Sequence, residues 1–576
     1  MEIGLIAVAA VVLLVGTSIL GSRIGIAAPL LLVVVGIGIG YLPFVPLVEL
    51  EPELILVGVL PPLLYAAAVN VPLVDFRRNF RPVIGLSVLL VIISAVLIGV
   101  VVHLAVPTIP LPVAIALGAV VSPTDAVAAT SIGKRLGMPD RVVSILEGES
   151  LVNDATSLVL LKTALAAVAG SFVFWDAAGS FALSVTGAVA IGGAIGFVTV
   201  WVRSKLRNPV YDTVISFVVP FVAFMPAEEI GASGVLAVVV TGLYTGHHAS
   251  RRFSATARMN ERLNWRTIQF ALENGVFLLM GLQLHALVEQ VGESPFRLEH
   301  VALLSLAVVA VLIVCRAGFM VPLILAMRGA AGRYEYRSAG FTRLARRERD
   351  AEETNTRKLR KVELLAQRSQ ADFEHERDQQ LGWRDGAVLS WSGMRGVVTL
   401  AAAQSIPTET PYRAQLVLIA FAVAVITLLL HGLTLPPFIR RLWPDGAQSG
   451  LSAGELASLS RDLIESANEA IDDVIANEDD PSAENACVRM ADRVRASSRN
   501  ALAPIAMSLP ATGPLQLPNA ETPAQAYLRL ARVALEAQRV TLLEERAIGR
   551  YSSRSLRAAE LALDAHEARL TPPGAH

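Results

Sequence analysis

Apolar residues in this chain gather into runs of about 20, the length an α-helix needs to cross the hydrocarbon core of a bilayer. The runs predict spans near residues 3–20, 25–43, 53–71, 83–107, 111–131, 142–170, 176–201, 210–226, 231–246, 265–289, 300–327, 385–405 and 413–438. The expectation is an all-α membrane protein with about 13 transmembrane helices. The first run follows Met1-Glu2 with no basic segment before it, so it reads as a retained first helix rather than a cleaved signal peptide.

The polar breaks between runs orient these spans, because loops on the cytoplasmic side are enriched in Lys and Arg. Breaks carrying Arg23, then Arg77, Arg78 and Arg81, then Lys134, Arg135 and Arg141, then Arg203, Lys205 and Arg207, then Arg251, Arg252 and Arg258 fall on one side. The intervening ones (Glu49 to Glu53, Pro107 to Pro112, Ala227 to Glu229, Ser405 to Pro411) are acidic or nearly uncharged. This asymmetry places the N-terminus outside and the C-terminus in the cytoplasm of a multi-pass protein of the plasma membrane. Residues 1–440 form the transmembrane domain, interrupted by a charged cytoplasmic insertion at 329–384. The insertion reads as a solvated helical hairpin or partly disordered loop, with contact to anionic lipid or a regulatory role as the sharper alternative. Residues 445–576 read as a cytosolic helical tail, with helical periodicity over Leu451 to Ala476 and Ala524 to Leu570 around the Pro/Gly-containing stretch Pro504 to Pro523.

Composition agrees with the pattern: 53% of residues are hydrophobic and 17% charged, with a mean hydropathy of +0.54, too apolar for a soluble protein of this size. The net charge of −1 is no guide to partners, and no nucleic acid is expected; the signs of the local blocks are what inform. The two cysteines, Cys315 in an apolar run and Cys487 in the polar tail, are not expected to pair.

Charges inside the spans carry the chemistry, because a carboxylate near the bilayer centre costs about 3 kcal/mol on insertion scales and is kept by partners or by function. Asp125, Glu149, Asp154, Glu273, Arg316 and Arg395 lie in such positions. In Ser122-Pro123-Thr124-Asp125 the proline removes a backbone hydrogen bond while its neighbours can satisfy the freed groups, so the helix is expected to break mid-membrane, where half-helix ends can face ions. A simple proline kink with a capping Asp125 is the plainer reading. In Glu149-Ser150-Leu151-Val152-Asn153-Asp154, Ser150 and Asp154 share one helix face and Glu149 and Asn153 the next. Asp154 offers a carboxylate to a monovalent cation, with Ser150 as a neutral oxygen ligand and Thr124 completing the set from the broken helix. One carboxylate that holds either a cation or a proton is a minimal exchanger. Glu149 needs a neutralising arginine from Arg316 and Arg395, of which Arg316, mid-span, is the expected partner. Arg395, between Gly393 and Gly396, suggests close packing or a second break. Glu273 is its most plausible partner by charge balance, although sequence does not fix that pairing.

The residues Ser122-Pro123-Thr124-Asp125, Gly148-Glu149-Ser150-Leu151-Val152-Asn153-Asp154 and Gly393-Met394-Arg395-Gly396, with Leu60-Pro61-Pro62-Leu63-Leu64-Tyr65, together resemble the sodium/proton exchanger family of the monovalent cation/proton antiporters over roughly residues 1–440. The resemblance implies inverted repeats of 13 helices, a homodimer and elevator-like alternating access. It implies Asp154 as carrier of Na+ and H+, with Thr124, Asp125 and Ser150 nearby and Glu149/Arg316 structural. It implies electroneutral exchange, since Asn153 stands where electrogenic relatives carry a second aspartate. No cofactor is implied beyond the transported ions. The sequence departs from the pattern at Ala66, where many relatives carry an acid.

Competing readings keep the fold or the carboxylates but change the function: a potassium or mixed-cation exchanger, a non-transporting membrane sensor, or an intramembrane protease using Asp125 and Asp154 as a dyad. Neither aspartate has the Gly-x-Gly-Asp setting of such proteases. The nine histidines form no His-Glu-x-x-His pattern, which disfavours metal enzymology.

Overall fold

A computed structural model describes residues 2–24, 27–43, 53–168, 174–206, 208–292, 298–328, 331–350, 356–378, 380–407, 409–444, 453–477, 481–502 and 523–570. Arg207, Thr408 and the predicted stretches Glu49 to Pro52 and Pro504 to Thr522 lie outside the described residues.

The described residues fold as helices. α1 (Glu2–Ile24) and α2 (Ala28–Gly40) precede a π-helical turn at Leu54–Val59 that runs into α3 (Leu60–Asn70). Two short helices, α4 (Leu73–Arg78) and α5 (Phe80–Ile84), lead through a second π turn into α6 (Val91–Ala105). The interrupted pair α7 (Leu111–Val121) and α8 (Ala126–Arg135) is followed by α9 (Asp140–Val168), α10 (Phe174–Arg203), α11 (Pro209–Glu229), α12 (Gly234–Arg252), α13 (Ala255–Gly292) and α14 (Leu298–Arg328). The insertion contributes α15 (Ala331–Arg349) and α16 (Thr356–Asp378); a second interrupted pair, α17 (Trp383–Trp391) and α18 (Val397–Gln404), leads to α19 (Arg413–Leu442). The tail holds α20 (Ala453–Ala476), α21 (Pro481–Leu502), α22 (Pro523–Ile548) and α23 (Ser553–Leu570).

Among the described residues, eight helical stretches are long and apolar enough to cross a membrane, and shorter apolar helices lie at Val8–Gly21, Ala28–Gly40 and Leu54–Asn70. α12 and the α17/α18 pair pack among them. Local chemistry sets the ends. Asn208 caps α11 by accepting from the Val210 amide at 2.8 Å, with Pro209 opening the first turn.

Packing groups the membrane helices into two bundles that share an interface, with α13 against α19 and one apolar cluster common to α2, α13, α6, α7, α9, α14 and α19. α2, α3, α10, α11, α12 and α13 pack on one another, as do α6, α7, α9, α14, α17 and α19, with α8 and α18 joined to the second set. Within the first, α2 and α13 touch backbone to backbone, because a Cβ on Gly36 would meet the Leu278 carbonyl at 2.5 Å and one on Gly281 the Val33 carbonyl at 2.4 Å. Within the second, a Cβ on Gly118 would meet the Ala95 carbonyl at 2.2 Å, seating α7 on α6.

The insertion is a docked helical hairpin. Asp372 on α16 takes Arg78 at 2.9 Å, and Glu376 takes Arg141 of α9 at 2.8 Å with both side chains nearly buried. Beside them, burial and the cations Arg78 and Arg141 push the His375 imidazole down to about 3, so it is neutral. The tail helices pack around apolar clusters of their own. One of them, α21, falls between the two periodic stretches visible in the sequence, and it buries Cys487, Met490 and Val494.

Candidate ion site

Two unwound segments cross inside the second bundle. α7 stops at Val121 and α8 starts at Ala126, with Pro123 between. The Ser122 hydroxyl donates back to the Gly118 carbonyl at 2.6 Å. Asp125 caps α8 by accepting from the Val127 amide at 2.8 Å. The predicted break and the capping aspartate are therefore both present. The second interruption runs from Ser392 to Gly396. The segments are joined where the Asp125 amide donates to the Met394 carbonyl at 2.8 Å. Gly396 permits this crossing, since a Cβ there would lie 2.0 Å from Asp125 Oδ2.

α9 supplies the carboxylates. Glu149 is held bidentately by Arg316 of α14, Nη1 to Oε1 at 2.5 Å and Nη2 to Oε2 at 2.8 Å, while Arg316 Nε donates to the Leu389 carbonyl at 2.8 Å. The Thr124 hydroxyl donates to Glu149 Oε1 at 2.7 Å. Asn153 Nδ2 donates to the Thr124 carbonyl at 3.0 Å and its hydroxyl oxygen at 3.1 Å. α9 thus grips the first unwound segment by its amide and its neutralised glutamate, on the face that sequence assigned to Glu149 and Asn153. Asn153 is engaged in this grip, and Thr124, besides taking part in it, also lines the cavity that holds Asp154.

Asp154 stands apart. It is 6% exposed and, among the described contacts, has neither an ion pair nor a side-chain hydrogen bond. It lines a cavity of about 1490 Å³ together with Thr124, Asp125, Ser150 and Glu273. The charges of Asp125 and Asp154 are close enough to interact. The cavity reaches the face that carries the tail, where Ser553, Arg554 and Arg557 line it.

One expected pairing is overturned. Arg395 does not meet Glu273: its Nε donates to the Val121 carbonyl at 3.0 Å and its Nη1 to the Gly393 carbonyl. Glu273 instead accepts from Gln269 at 2.7 Å, one turn earlier on α13. The reason is the helix break. Val121 ends α7 and Gly393 follows the end of α17, and carbonyls freed at helix C-termini carry partial negative charge that a cation offsets. Sequence reading counted whole charges and missed these partial ones.

Reading from sequence also missed a second buried ionic group. Arg203 at the end of α10 meets Asp212 of α11 through Nε at 2.7 Å and Nη2 at 2.8 Å, and Glu261 of α13 through Nη1 at 2.5 Å, all buried. By its position in the sequence Arg203 is a loop charge. The available signal was a carboxylate just inside each of two neighbouring helices beside an arginine at a third helix end.

Crossed half-helices around a buried carboxylate, open to one face, define a membrane antiporter fold. The sodium proton antiporter MjNhaP1 from Methanocaldococcus jannaschii shares it with a TM-score of 0.56 at 16% identity, over 77% of this chain and 98% of that one. The chain belongs to the sodium/hydrogen exchanger family, whose transmembrane model matches residues 8–441, and it is a multi-pass membrane protein. An uncharacterised Na+/H+ exchanger of Mycobacterium bovis is 29% identical, covering 79% of this chain and 77% of that protein. A sodium, potassium, lithium and rubidium/H+ antiporter of Bacillus pumilus is 30% identical over 76% of this chain and 61% of its own length. The Na+/H+ antiporter ApNhaP of Aphanothece halophytica is 27% identical over 72% and 69%.

Proposed function

We propose that the protein exchanges Na+ or Li+ for H+ across the plasma membrane, with Asp154 as the single carrier carboxylate and the tail face in the cytoplasm. The observation that carries this reading is the contrast between two carboxylates on one helix: Glu149 has its own arginine, whereas Asp154 is buried without a countercharge and faces the cavity. An uncompensated carboxylate at such a site is favourable only with a cation or a proton bound. Ser150, one turn earlier and lining the same cavity, offers a neutral oxygen, and Asp125 adds negative potential. Because cation and proton compete for one group, loading one releases the other, and exchange is electroneutral: Asn153 does not titrate and its amide is spent on Thr124. The second bundle, which holds the crossing, moves against the first in an elevator-like step within a homodimer.

A mixed-cation reading is the runner-up, favoured by Ala66 where an acid would tighten selection and by the broad cation range in the name of the Bacillus pumilus relative.

The test uses purified protein in liposomes with an internal pH dye and an imposed proton gradient. Sodium or lithium should dissipate the gradient in wild type and fail to do so in Asp154→Asn. Equal responses to potassium would replace the sodium reading with the mixed-cation one. Undiminished exchange in Asp154→Asn would show that the carrier is another carboxylate.

A further inference from the structure

One face of α13 forms a wall of the ion cavity. Arg262, Arg266, Gln269 and Glu273 follow one another at the three- and four-residue spacing that shares a helix face, and all four line the cavity. Arg262 stands at the tail end of this row, where it meets Glu560 at 3.1 Å. Glu273 stands at the inner end, close enough to Asp125 for their charges to interact. Arg266 lies between them, seven residues before Glu273, which is about 10 Å along a helix axis. A cation that travels from the tail face to Asp154 therefore passes the Arg266 guanidinium.

Most of the other basic side chains along the cavity are matched by acids. Lys134 meets Glu147 at 2.5 Å, Arg141 meets Glu376 at 2.8 Å and Arg554 meets Asp140 at 3.3 Å. Asp75, a further lining acid toward the tail face, is close enough to Arg78 for their charges to interact. Arg266 is exposed and, among the described contacts, has neither an ion pair nor a side-chain hydrogen bond. Arg135, exposed at the end of α8 on the second bundle, donates to the Ser131 carbonyl in its own last turn at 3.3 Å and meets no acid among the described contacts. Arg557 donates to the neutral Asn70 at 3.0 Å. The path thus carries unmatched positive charge outside the carboxylates that attract the cation.

We propose that Arg266 is a charge barrier that sets the affinity of the cavity for cations entering from the tail face, with Arg135 adding to it from the second bundle. The proposal rests on the antiport reading for its transport readout. Over about 10 Å, one positive charge weakens cation binding roughly two- to fifteenfold as the effective dielectric falls from about 80 to about 20. Na+ and H+ bring the same charge to the same carboxylate, so the barrier weakens both by one factor and leaves their competition unaltered. The Debye length of about 10 Å at about 0.1 M salt shrinks to about 3 Å at about 1 M, which screens the barrier out.

Exchange in everted membrane vesicles, which present the tail face to added Na+, tests the barrier on the full-length chain. At alkaline pH and low ionic strength, Arg266→Gln should lower the KM for Na+ severalfold and Arg266→Glu by about the square of that factor, while Arg266→Lys should keep the wild-type KM. At a pH acid enough for H+ to compete fully, the KM of all three should match wild type, because the proton is bound more tightly by the same factor. In about 1 M choline chloride the differences at alkaline pH should vanish. An Arg266→Gln KM equal to wild type at low ionic strength, a difference that persists in high salt or is as large at acid pH, or Arg266→Lys behaving like Arg266→Gln would each overturn the barrier. Absence of exchange in wild type would instead defeat the antiport reading, and thermal stabilisation of the purified protein by Na+ would then decide. Its half-maximal Na+ concentration should fall in Arg266→Glu, and one that stays or rises would overturn the barrier.

Discussion

Replacing Glu149 by Gln keeps the shape of the side chain and removes its charge. The Arg316 side chain is 4% exposed, so the substitution leaves a buried guanidinium without its countercharge, with the Leu389 carbonyl and a single neutral Gln oxygen as acceptors. Breaking a buried pair from one side costs about 3–5 kcal/mol, whereas replacing both partners by apolar residues is often neutral. The Thr124 hydroxyl also loses a charged acceptor, a further cost of about 1 kcal/mol. At about 1.4 kcal/mol per tenfold, the pair alone shifts the unfolding equilibrium of Glu149→Gln by roughly two to nearly four orders of magnitude. Glu149→Leu/Arg316→Leu should recover most of that loss. Reversible unfolding in mixed micelles by increasing dodecyl sulfate, followed by circular dichroism, reads both variants. A Glu149→Gln protein within about 1 kcal/mol of wild type, or a double variant as unstable as the single one, would refute the assignment of this pair as structural.

Two other perturbations follow from particular contacts. Gly281→Ala places a methyl against the Val33 carbonyl, forcing α2 and α13 apart; it should lower thermal stability measurably, while Gly275→Ala, where a Cβ meets nothing within 4 Å, should not. On α4, burial pushes the Asp75 carboxyl up to about 6, outweighing the lowering by the Ser553 hydroxyl and Arg78. The folded state is therefore favoured when Asp75 is protonated, and this contribution fades as pH rises from about 4 through about 6. Asp75→Asn should flatten the pH dependence of thermal stability over that window; an unaltered profile would count against the buried setting of Asp75.

Much of the fold was written locally. Helix positions followed from apolar run length, because a backbone in hydrocarbon must satisfy its own hydrogen bonds and a long apolar run does so by spanning as a helix. The first interruption was legible because Pro123 cannot complete the helical ladder and its polar neighbours can satisfy what it leaves. The shared face of Glu149 and Asn153 followed from helical period alone. The choice of Arg316 for Glu149 rested on charge balance and mid-span position, and the geometry agrees with it.

What only the tertiary structure decided was which groups meet across elements. Charge counting pairs Arg395 with Glu273, yet it sits on helix-end carbonyls that exist only once both helices have broken and crossed. Arg203 is a loop charge by position and a buried hub in the fold, because α10, α11 and α13 converge at one point. No local signal says that α23, far along the chain, lines the cavity holding Asp154. Propensity, period and capping act within a few residues, so sequence displays them directly. Pairings between distant helices depend on which of several chemically equivalent partners packing brings within about 3 Å, the range of a hydrogen bond, and that is settled by the whole molecule at once.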